Sequence, residues 1–363
     1  MLIGIDASKA AAKNRTGVEN YTYQLILALK KVGARDIFLL YTNSKLPKEL
    51  ANKYNMVEKL WGVKRFWNKI FLPIALLRQR PDAYIQPLYM MPLFAPKNNI
   101  SVVHDLAWAK FPHAYSKSEI MIQKLAIQNA ISRAKHIVCV SDSTRNDLIK
   151  LYPKARKKAT VIYPSYNEGF CYQIAKPKNV IKSEGPYFLF AGRVEERKNI
   201  IKIVEAFKLL KDHSDLPHKL VIAGKPGYNF EIILNTINRD FKDVLPFLIF
   251  PGYVQSEDMP HLFAGAEAFL YPTLYEGFGL AALDAMSAGI PVITSNKSSM
   301  PEAVGDSAVL VDPADAKEIA QAMFDIATSK KYRDSLIKKG LEQIKMFSWE
   351  KTANEFIKLL ETK

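Results

Sequence analysis

The stretch from Tyr271 to Gly289 reads YPTLYEGFGLAALDAMSAG, the pattern of a buried strand, a glycine-bearing turn and a helix. Gly277 and Gly279 allow close backbone approach, because glycine has no Cβ. The amides that follow lie at the predicted helix start, where unpaired N–H groups and the helix dipole favour an anion. Glu276 precedes this point, and Asp284 lies eight residues after Glu276. The stretch therefore predicts a phosphate site flanked by two carboxylates that can bind hydroxyls, although a simple chain reversal fits the same pattern.

The size and composition of the chain indicate a globular protein with two domains. It has 363 residues, of which 48% are hydrophobic and 24% charged. Its two cysteines, Cys139 and Cys171, cannot form a disulfide scaffold, and neither has the spacing of a metal ligand. No apolar run approaches the roughly 18 residues that a membrane span needs, and the first residues lack a signal-peptide pattern. These features predict a cytoplasmic protein.

The excess of positive charge lies wholly in the first half of the chain. Residues 1–180 contain 29 Lys and Arg against 11 Asp and Glu, a net charge of +18, whereas residues 181–363 carry a net −3. Basic surfaces attract polyanions such as nucleic acid, anionic lipid or phosphorylated substrates. The first half is therefore the half in which an anionic partner is expected.

Short apolar runs alternate with amphipathic stretches along the whole chain, which predicts mostly parallel sheets covered on both faces by helices. The predicted fold class is α/β, with two doubly wound domains facing a central cleft. The predicted strands are Leu2–Ile5, Ile37–Tyr41, Ala83–Gln86, Ile100–Val103, His136–Val140, Thr160–Tyr163, Tyr187–Ala191, Leu220–Ala223, Phe247–Phe250, Ala268–Tyr271, Val292–Thr294 and Val309–Val311.

A polar stretch without apolar periodicity, Gln173–Gly185, separates the two halves. We therefore predict a first domain over residues 1–175 and a second over residues 176–345. The remaining residues, 346–363, are predicted to form a helix that packs back on the first domain.

A second motif, FAGRVEERKNI, leaves a predicted strand and enters a predicted helix over Phe190–Ile200. Gly192 turns the chain, and Arg193 and Lys198 follow at the carboxyl end of the strand, where open α/β sheets place their ligands. A guanidinium and an ammonium there can neutralise a pyrophosphate. Taken alone, the two cations also fit ordinary solvated surface charges.

Together the two motifs resemble the family 4 glycosyltransferases of the GT-B fold, which has two Rossmann-like domains facing a cleft. In that family a GR-x-x-x-x-K element holds the donor diphosphate, and Gly192, Arg193 and Lys198 match it. The E-x7-E element of the family is matched by Glu276 and Asp284, where Asp replaces the usual Glu. Three segments of the first half extend the resemblance over essentially the whole chain: RTGVENY at Arg15–Tyr21, VHDL at Val103–Leu106 and VSDSTRNDL at Val140–Leu148.

The resemblance implies a role for each matched residue of the second domain. Glu276 would contact hydroxyls of the donor sugar, and Asp284 would bind the ribose through a contact shifted or bridged by water. Arg193 and Lys198 would stabilise the charge that builds on the leaving nucleoside diphosphate. The backbone amides that would serve the sugar and the diphosphate belong to Gly277, Phe278, Gly279 and Leu280.

The segment GYV at Gly252–Val254 resembles the strand end that contacts the nucleotide base in the family. Its backbone, including Val254, would hydrogen-bond the base while Tyr253 packs nearby. An ordinary strand end fits the same three residues.

In the first domain, the resemblance implies an acceptor site. His104, at the end of an apolar strand, would lie near the reacting sugar carbon and the acceptor, whereas a lone His–Asp pair would otherwise be read as structural. Asp105 would orient the strand end or the imidazole. Gly17 resembles the family's glycine near the diphosphate, and Glu19 and Tyr21 are candidate acceptor contacts.

The segment Lys59–Arg80, KLWGVKRFWNKIFLPIALLRQR, mixes basic residues with large apolar ones such as Trp61, Phe66 and Trp67. Such a composition suits a helix on an anionic lipid surface. An ordinary helix with a buried apolar face is the alternative, and Pro73 interrupts any long helix. The segment is therefore a candidate for peripheral contact with the inner face of the plasma membrane.

The resemblance implies a retaining glycosyltransferase that moves a hexose from a nucleotide sugar to a hydroxyl of a glycan or a lipid-linked acceptor, without a metal or other cofactor. Ser295–Pro313 looks most like the mannosyltransferase and O-antigen branch, which makes GDP-mannose the first choice of donor, with UDP-glucose, UDP-N-acetylglucosamine and other UDP-sugars open. The alternative from another class is a non-catalytic basic protein that binds a membrane surface or a polyanion. No nucleic-acid-binding signature is present, so no nucleic-acid partner is expected.

Overall fold

The computed structural model of the protein describes residues 1–13, 15–33, 35–50, 56–60, 66–168, 178–181 and 184–362. By its internal contacts the chain divides into two compact units. Unit 1 comprises Met1–Ser165 together with Phe347–Lys363, and unit 2 comprises Tyr166–Met346. The predicted boundary stretch includes residues 173–177 and 182–183, which lie outside the described residues, so that boundary remains a prediction.

Unit 1 is built on a parallel sheet, to which its described residues contribute seven strands in the order β3-β2-β1-β4-β5-β6-β7. The order reverses between β1 and β4, the first and fourth strands along the chain, as in doubly wound folds. The strands are β1 (Leu2–Asp6), β2 (Ile37–Thr42), β3 (Met56–Leu60), β4 (Ala83–Gln86), β5 (Asn99–Val103), β6 (His136–Cys139) and β7 (Ala159–Val161).

The helices of unit 1 follow the strands and cover the sheet with their apolar faces. A π-helical turn over Trp67–Phe71 leads directly into the second helix. The helices are α1 (Gly17–Val32), α2 (Leu72–Gln79), α3 (Ala107–Lys110), α4 (Lys117–Arg133) and α5 (Asp142–Leu151).

Unit 2 repeats this plan with a parallel sheet of order β10-β9-β8-β11-β12-β13 in its described residues. Here the order reverses between β8 and β11. Both strands are buried along their whole length, which is why their sequences are continuous apolar runs. The strands are β8 (Tyr187–Ala191), β9 (Lys219–Ala223), β10 (Leu248–Gly252), β11 (Ala268–Tyr271), β12 (Val292–Ser295) and β13 (Val309–Val311).

The helices of unit 2 alternate with its strands, as a parallel sheet requires. A 3₁₀ turn over Glu196–Lys198 precedes the first of them. The helices are α6 (Ile200–His213), α7 (Phe230–Asp240), α8 (Met259–Ala264), α9 (Leu280–Ser287), α10 (Met300–Val304), α11 (Ala316–Thr328) and α12 (Lys330–Gln343).

The last helix, α13 (Trp349–Glu361), belongs to unit 1 and packs on α1. The ring of Trp349 is buried and meets the ring of Tyr21 edge-on, with centroids 5.4 Å apart. The Thr352 hydroxyl donates to the carbonyl of Tyr163 at 2.6 Å, and the Asn98 amide donates to the carbonyl of Leu360 at 2.7 Å. Helix α13 therefore completes the core of unit 1.

We expect Trp349→Ala to lower the free energy of unfolding of unit 1 by about 3–5 kcal/mol, because it leaves a large cavity under α1. Thermal unfolding measured by circular dichroism would show an early transition. Asn354→Ala, an exposed change on the same helix, is the control and should leave the transition in place. Equal unfolding curves for Trp349→Ala and the parent would contradict the packing of α13 on α1.

Candidate functional site

The candidate site of unit 2 lies at the carboxyl ends of β8 and β11, the two neighbouring strands between which the strand order reverses. Ligands of open α/β sheets bind at this position. The segment after β8 carries the GR-x-x-x-x-K element, and the segment after β11 carries Glu276. The topology thus brings together two motifs that are about 80 residues apart in the sequence.

A buried ion pair joins Lys198 and Glu276 at the centre of this site. Their exposed fractions are only 6% and 9%. The Lys198 ammonium also donates to the Tyr271 hydroxyl at 2.6 Å, and this hydroxyl donates to the Glu276 carboxylate at 3.1 Å. The three side chains therefore form a closed hydrogen-bonded triangle.

The pKa of Glu276 lies below its ordinary value. Burial acts to raise the pKa, but the positive charges of Lys198 and Arg197 and the hydrogen bonds from Lys198 and Tyr271 outweigh it. Burial and the nearby Glu276 charge hold the pKa of Tyr271 well above 10, so the phenol keeps its proton and can donate. Glu276 is thus a carboxylate, with its charge neutralised by a cation of the protein.

Arg197 is a second cation of the site that the sequence analysis did not identify. One guanidinium nitrogen lies 3.4 Å from the Glu276 carboxylate and donates to the carbonyl of Tyr275 at 2.8 Å. The other nitrogen donates to Glu195 at 2.8 Å. Arg197 therefore ties the 3₁₀ turn after β8 to the loop after β11, which no spacing in the sequence indicated.

Residues that follow β12 hold the loop that carries Glu276. The hydroxyls of Ser298 and Ser299 donate to the carbonyl of Glu276 at 2.7 and 3.0 Å, and the Glu276 amide donates back to Ser298 at 3.2 Å. At Gly279 the φ angle is +102°, and a Cβ there would lie 2.7 Å from the Met300 sulfur. Glycine is therefore required where the chain enters α9.

The turn after β9 passes very close to the turn after β8. A Cβ on Gly224, whose φ is +149°, would lie 1.6 Å from the carbonyl oxygen of Gly192. Nearby, a Cβ on Gly227 would lie 2.6 Å from Cγ of Arg193, a residue that is exposed to solvent. Arg193 therefore packs beside Gly227 and remains exposed to solvent.

Tyr253 and Val254 follow β10 and are half-buried. The carbonyl of Gly252 accepts a hydrogen bond from the Gly224 amide at 2.8 Å, which joins the ends of β9 and β10. The Lys225 ammonium lies 4.3 Å from the centre of the Tyr253 ring, within the range of a cation–π contact. Tyr253 is thus fixed beside the carboxyl end of β9, whereas its predicted role toward a base remains a prediction.

Asp284 lies on α9, and its carboxylate accepts a hydrogen bond from the backbone amide of Asn167 at 2.8 Å. Burial raises the pKa of Asp284 to about 7, against the lowering effect of the Asn167 bond. This aspartate replaces the glutamate of the family pattern. In the structure it binds the backbone near the start of unit 2. Its contact with a ribose remains a prediction.

The raised pKa of Asp284 predicts a pH-dependent stability. The unfolded-state pKa of Asp is about 3.9, so between about pH 4 and pH 7 the folded protein binds more protons, and stability falls as pH rises through this window. Asp284→Asn keeps an oxygen for the Asn167 amide. We expect the stability of this variant, relative to the parent, to be about 3–4 kcal/mol greater near pH 8 than near pH 4. Thermal melts at both pH values test this, and an equal difference at both would contradict it.

In unit 1, His104 follows β5 and makes three contacts. Its Nε2 donates to the carbonyl of Pro87 at 2.7 Å, its ring meets Tyr21 edge-on at 4.6 Å, and its carbonyl accepts from the Thr144 hydroxyl at 3.3 Å. Burial lowers the pKa of His104 more than the Pro87 bond raises it, which favours the neutral imidazole. Asp105 accepts a hydrogen bond from the Ala107 amide at 3.0 Å and so caps α3.

The other predicted residues of unit 1 lie in the first turns of α1. Gly17 is its exposed first residue, and the Glu19 carboxylate accepts from the Thr16 amide at 3.3 Å and from the Thr16 hydroxyl at 2.6 Å. Tyr21 is only 1% exposed, and its hydroxyl has no hydrogen-bond partner among the described residues. Glu19 thus caps a helix and Tyr21 packs in the core, while their acceptor contacts remain predictions.

Two properties of the described residues bear on metals and membranes. In this part of the chain, no three His, Cys, Asp or Glu side chains are grouped so that they could hold a metal ion. Within the same part, no helix has the length and apolar character needed to cross a membrane.

Comparison with known proteins first defines the class, which is that of the glycosyltransferases. Residues 15–168 match the family described as Glycosyltransferase Family 4, and residues 172–343 match the family described as Glycosyl transferases group 1. The sucrose-phosphate synthase of Thermosynechococcus elongatus has the same fold, with a TM-score of 0.79 at 18% identity over 99% of this chain and 98% of that chain. The two Rossmann-like units are those of the GT-B fold.

Two curated relatives define the family. The O-antigen chain mannosyltransferase B of Escherichia coli is 31% identical over 265 residues, which are 71% of this chain and 68% of that protein. The O-antigen chain mannosyltransferase RfbU of Salmonella typhimurium is 24% identical over 329 residues, 86% of this chain and 88% of that protein. The chain belongs to the family 4 (group 1) glycosyltransferases, which confirms the family and the fold class predicted from the sequence.

Proposed function

We propose that this enzyme transfers mannose from GDP-mannose to a hydroxyl of a glycan or lipid-linked acceptor during synthesis of a cell-surface polysaccharide of the O-antigen type. The observation that carries the proposal is the buried triangle of Lys198, Glu276 and Tyr271 at the point where the strand order of unit 2 reverses. The choice of mannose and of O-antigen is supported by the names of the two curated relatives.

Donor binding would use the charges of this triangle. The Lys198 ammonium is paired with Glu276 in the structure, so a bound diphosphate would compete with Glu276 for it. Exposed Arg193 would supply a second positive charge to the phosphates. As Lys198 turns toward the phosphates, the Glu276 carboxylate would be released to accept hydrogen bonds from sugar hydroxyls.

The reaction would proceed with retention of configuration at the sugar carbon. The bond from that carbon to the phosphate oxygen breaks, and a bond to the acceptor oxygen forms on the same face. The leaving phosphate oxygen takes the proton of the acceptor hydroxyl, so no protein nucleophile is needed. Lys198 and Arg193 stabilise the negative charge that develops on the diphosphate, which is electrostatic catalysis.

We propose that no metal ion takes part, because the two cations perform the charge neutralisation that Mg²⁺ performs in many phosphoryl-transfer enzymes. We propose that His104 takes part in binding the acceptor. The enzyme would work in the cytoplasm, where nucleotide sugars are made, at the inner face of the membrane.

The experiment is a hydrolysis screen in which the protein is incubated with GDP-mannose, UDP-glucose and UDP-N-acetylglucosamine, and the released GDP or UDP is measured. GDP release from GDP-mannose alone, unchanged by EDTA, is the expected result. UDP release would contradict the proposed donor, and loss of turnover with EDTA would contradict metal independence. Absence of turnover with every donor, together with salt-sensitive binding to polyanions, would favour a non-catalytic binding protein.

A further inference from the structure

Arg197 is joined to the loop after β11 through both its backbone and its side chain. Its carbonyl accepts a hydrogen bond from the Leu274 amide at 3.0 Å, and its guanidinium donates to the carbonyl of Tyr275 at 2.8 Å. These two bonds hold the residues that directly precede Glu276. A ligand that reached Glu276 would therefore find Arg197 fixed beside it.

The second arm of the guanidinium is fixed by another carboxylate. One terminal nitrogen donates to Glu195 at 2.8 Å, while the other lies 3.4 Å from the Glu276 carboxylate. The side chains of Arg197, Glu195 and Glu276 are only 19%, 15% and 11% exposed. Because a guanidinium is planar and presents its donors in a fixed fork, these contacts give Arg197 a defined position beside both carboxylates.

Lys198 differs from Arg197 in how its charge is held. Its ammonium bonds the Tyr271 hydroxyl and the Glu276 carboxylate from the end of a flexible aliphatic stem. Burial lowers the pKa of Lys198, and the positive charge of Arg197 lowers it further, against the raising effect of Glu276. The two cations therefore repel each other. Lys198 is the one whose charged group can turn toward a diphosphate without breaking a bond to the backbone.

Loss of the Lys198 ammonium from the pair would change the state of Glu276. Burial acts to raise the pKa of this carboxyl, and the charges of Lys198 and Arg197 act to lower it. A buried carboxylate that loses its counter-ion tends to take up a proton, and it then has less capacity to accept hydrogen bonds from sugar hydroxyls. The guanidinium of Arg197 keeps its charge at every working pH and is placed to oppose this protonation.

We propose that Arg197 is a positioning residue, which keeps Glu276 ionised and in place for the donor sugar while Lys198 is engaged by the donor diphosphate. The identity of that ligand rests on the proposed function, whereas the contacts of Arg197 do not. Among the described residues, Lys198, Arg197 and Tyr271 face Glu276, and Glu195 pairs with Arg197. A change at Arg197 is therefore expected to act through the charge of Glu276.

The first test compares the pH profiles of Arg197→Gln and Arg197→Lys, with release of GDP from GDP-mannose as the assay. Loss of the positive charge raises the pKa of Glu276, so we expect the acid limb of kcat for Arg197→Gln to move to higher pH by about one unit or more. The acid limb of kcat/KM reports the free enzyme, in which Lys198 still pairs with Glu276, and should move less. Arg197→Lys keeps the charge and should keep both limbs.

The matched control is Arg333→Gln. Arg333 pairs with Glu267, and their side chains are 24% and 21% exposed, comparable with the 19% of Arg197. Glu267 precedes β11 and so lies at the opposite end of this strand from Glu276. The control should leave both limbs in place. An unmoved acid limb in Arg197→Gln, or a loss of kcat by the same factor at every pH, is the behaviour of a merely structural arginine and would overturn the inference.

The second test needs no donor. Lys198→Met removes the ammonium from Glu276, as engagement by a diphosphate would, and leaves Arg197 to hold the charge. The protonated Glu276 carboxyl gives an infrared band, which is identified by its loss when Glu276→Gln is added. We expect this band to appear at a pH higher by about one unit or more in Lys198→Met with Arg197→Gln than in Lys198→Met alone. Equal titrations in both variants would overturn the inference.

The two tests distinguish this inference from the proposed function. Infrared titrations that differ as expected, together with no release of GDP or UDP by the parent, would reject the proposed function and leave the hold of Arg197 on Glu276 intact. GDP release by the parent with equal titrations in the two variants would do the reverse.

Discussion

Lys198→Met is expected to reduce the rate of sugar transfer by about 10³-fold or more, because it removes the buried cation that would neutralise the leaving diphosphate. Methionine is close to lysine in length and is apolar, so the site keeps its shape. The substitution also leaves Glu276 buried without its partner ammonium, which should cost about 3 kcal/mol of stability. Release of GDP from GDP-mannose and thermal unfolding of the same sample measure the two effects.

The double variant Lys198→Met with Glu276→Gln separates the two effects. It removes both charges of the buried pair, so much of the lost stability should return while transfer stays at the level of the single variant. If the double variant regained both stability and turnover, the loss in the single variant would be a folding defect. Near-normal turnover of Lys198→Met itself would contradict the role assigned to this lysine.

Arg193→Ala is expected to slow transfer by about 10²-fold or more with no change in thermal stability. This residue is exposed, so its removal opens no cavity and leaves no buried partner unpaired. The control is Arg239→Ala, which removes another exposed guanidinium of unit 2, paired with Asp240 on the surface. It should keep full activity.

The comparison of these two arginine variants distinguishes a specific role from a general effect of charge. Equal losses in both would point to the net charge of unit 2 as the cause. If Arg193→Ala and Lys198→Met both turned over donor at the parental rate, the assignment of a nucleotide-sugar site to this part of unit 2 would fail.

Buried parallel strands were the elements that sequence reasoning predicted most accurately. Tyr187–Ala191 and Ala268–Tyr271 were predicted at their observed limits, because strands within a covered sheet are continuous apolar runs. The strand Met56–Leu60 was not predicted. It lies at the edge of its sheet, and its sequence, MVEKL, contains two charged residues.

Two of the longer helices of unit 2 carry little signal in the sequence, for reasons of burial. Lys330–Gln343 buries only Leu336 and Gly340, so its sequence shows little apolar periodicity. Phe230–Asp240 buries only Ile233 and Ile237, in a stretch rich in β-branched residues that favour strands. A helix that buries few side chains shows little apolar periodicity in its sequence and is therefore hard to predict.

The candidate site was predictable as a set of residues but not as a network. Lys198 and Glu276 were recognised because each lies in a motif of the family. Their pairing with each other and with Tyr271 was not predicted, because it depends on β8 and β11 being neighbours in the sheet. Arg197 was missed because it occupies one of the unspecified positions of the GR-x-x-x-x-K element, within the charged run EERK, where periodicity gives no signal.

The place of α13 in unit 1 has a consequence for the order in which the protein folds on the ribosome. Unit 2 is one continuous piece of chain, whereas unit 1 needs residues 347–362, which are translated after all of unit 2. The bond from Thr352 to Tyr163 spans 189 residues, so the nascent first unit must wait with part of its apolar surface uncovered. Domains usually complete their folding in the order of synthesis. In this chain all of unit 2 is synthesised before unit 1 is complete. Unit 1 is therefore the unit that chaperones would have to protect.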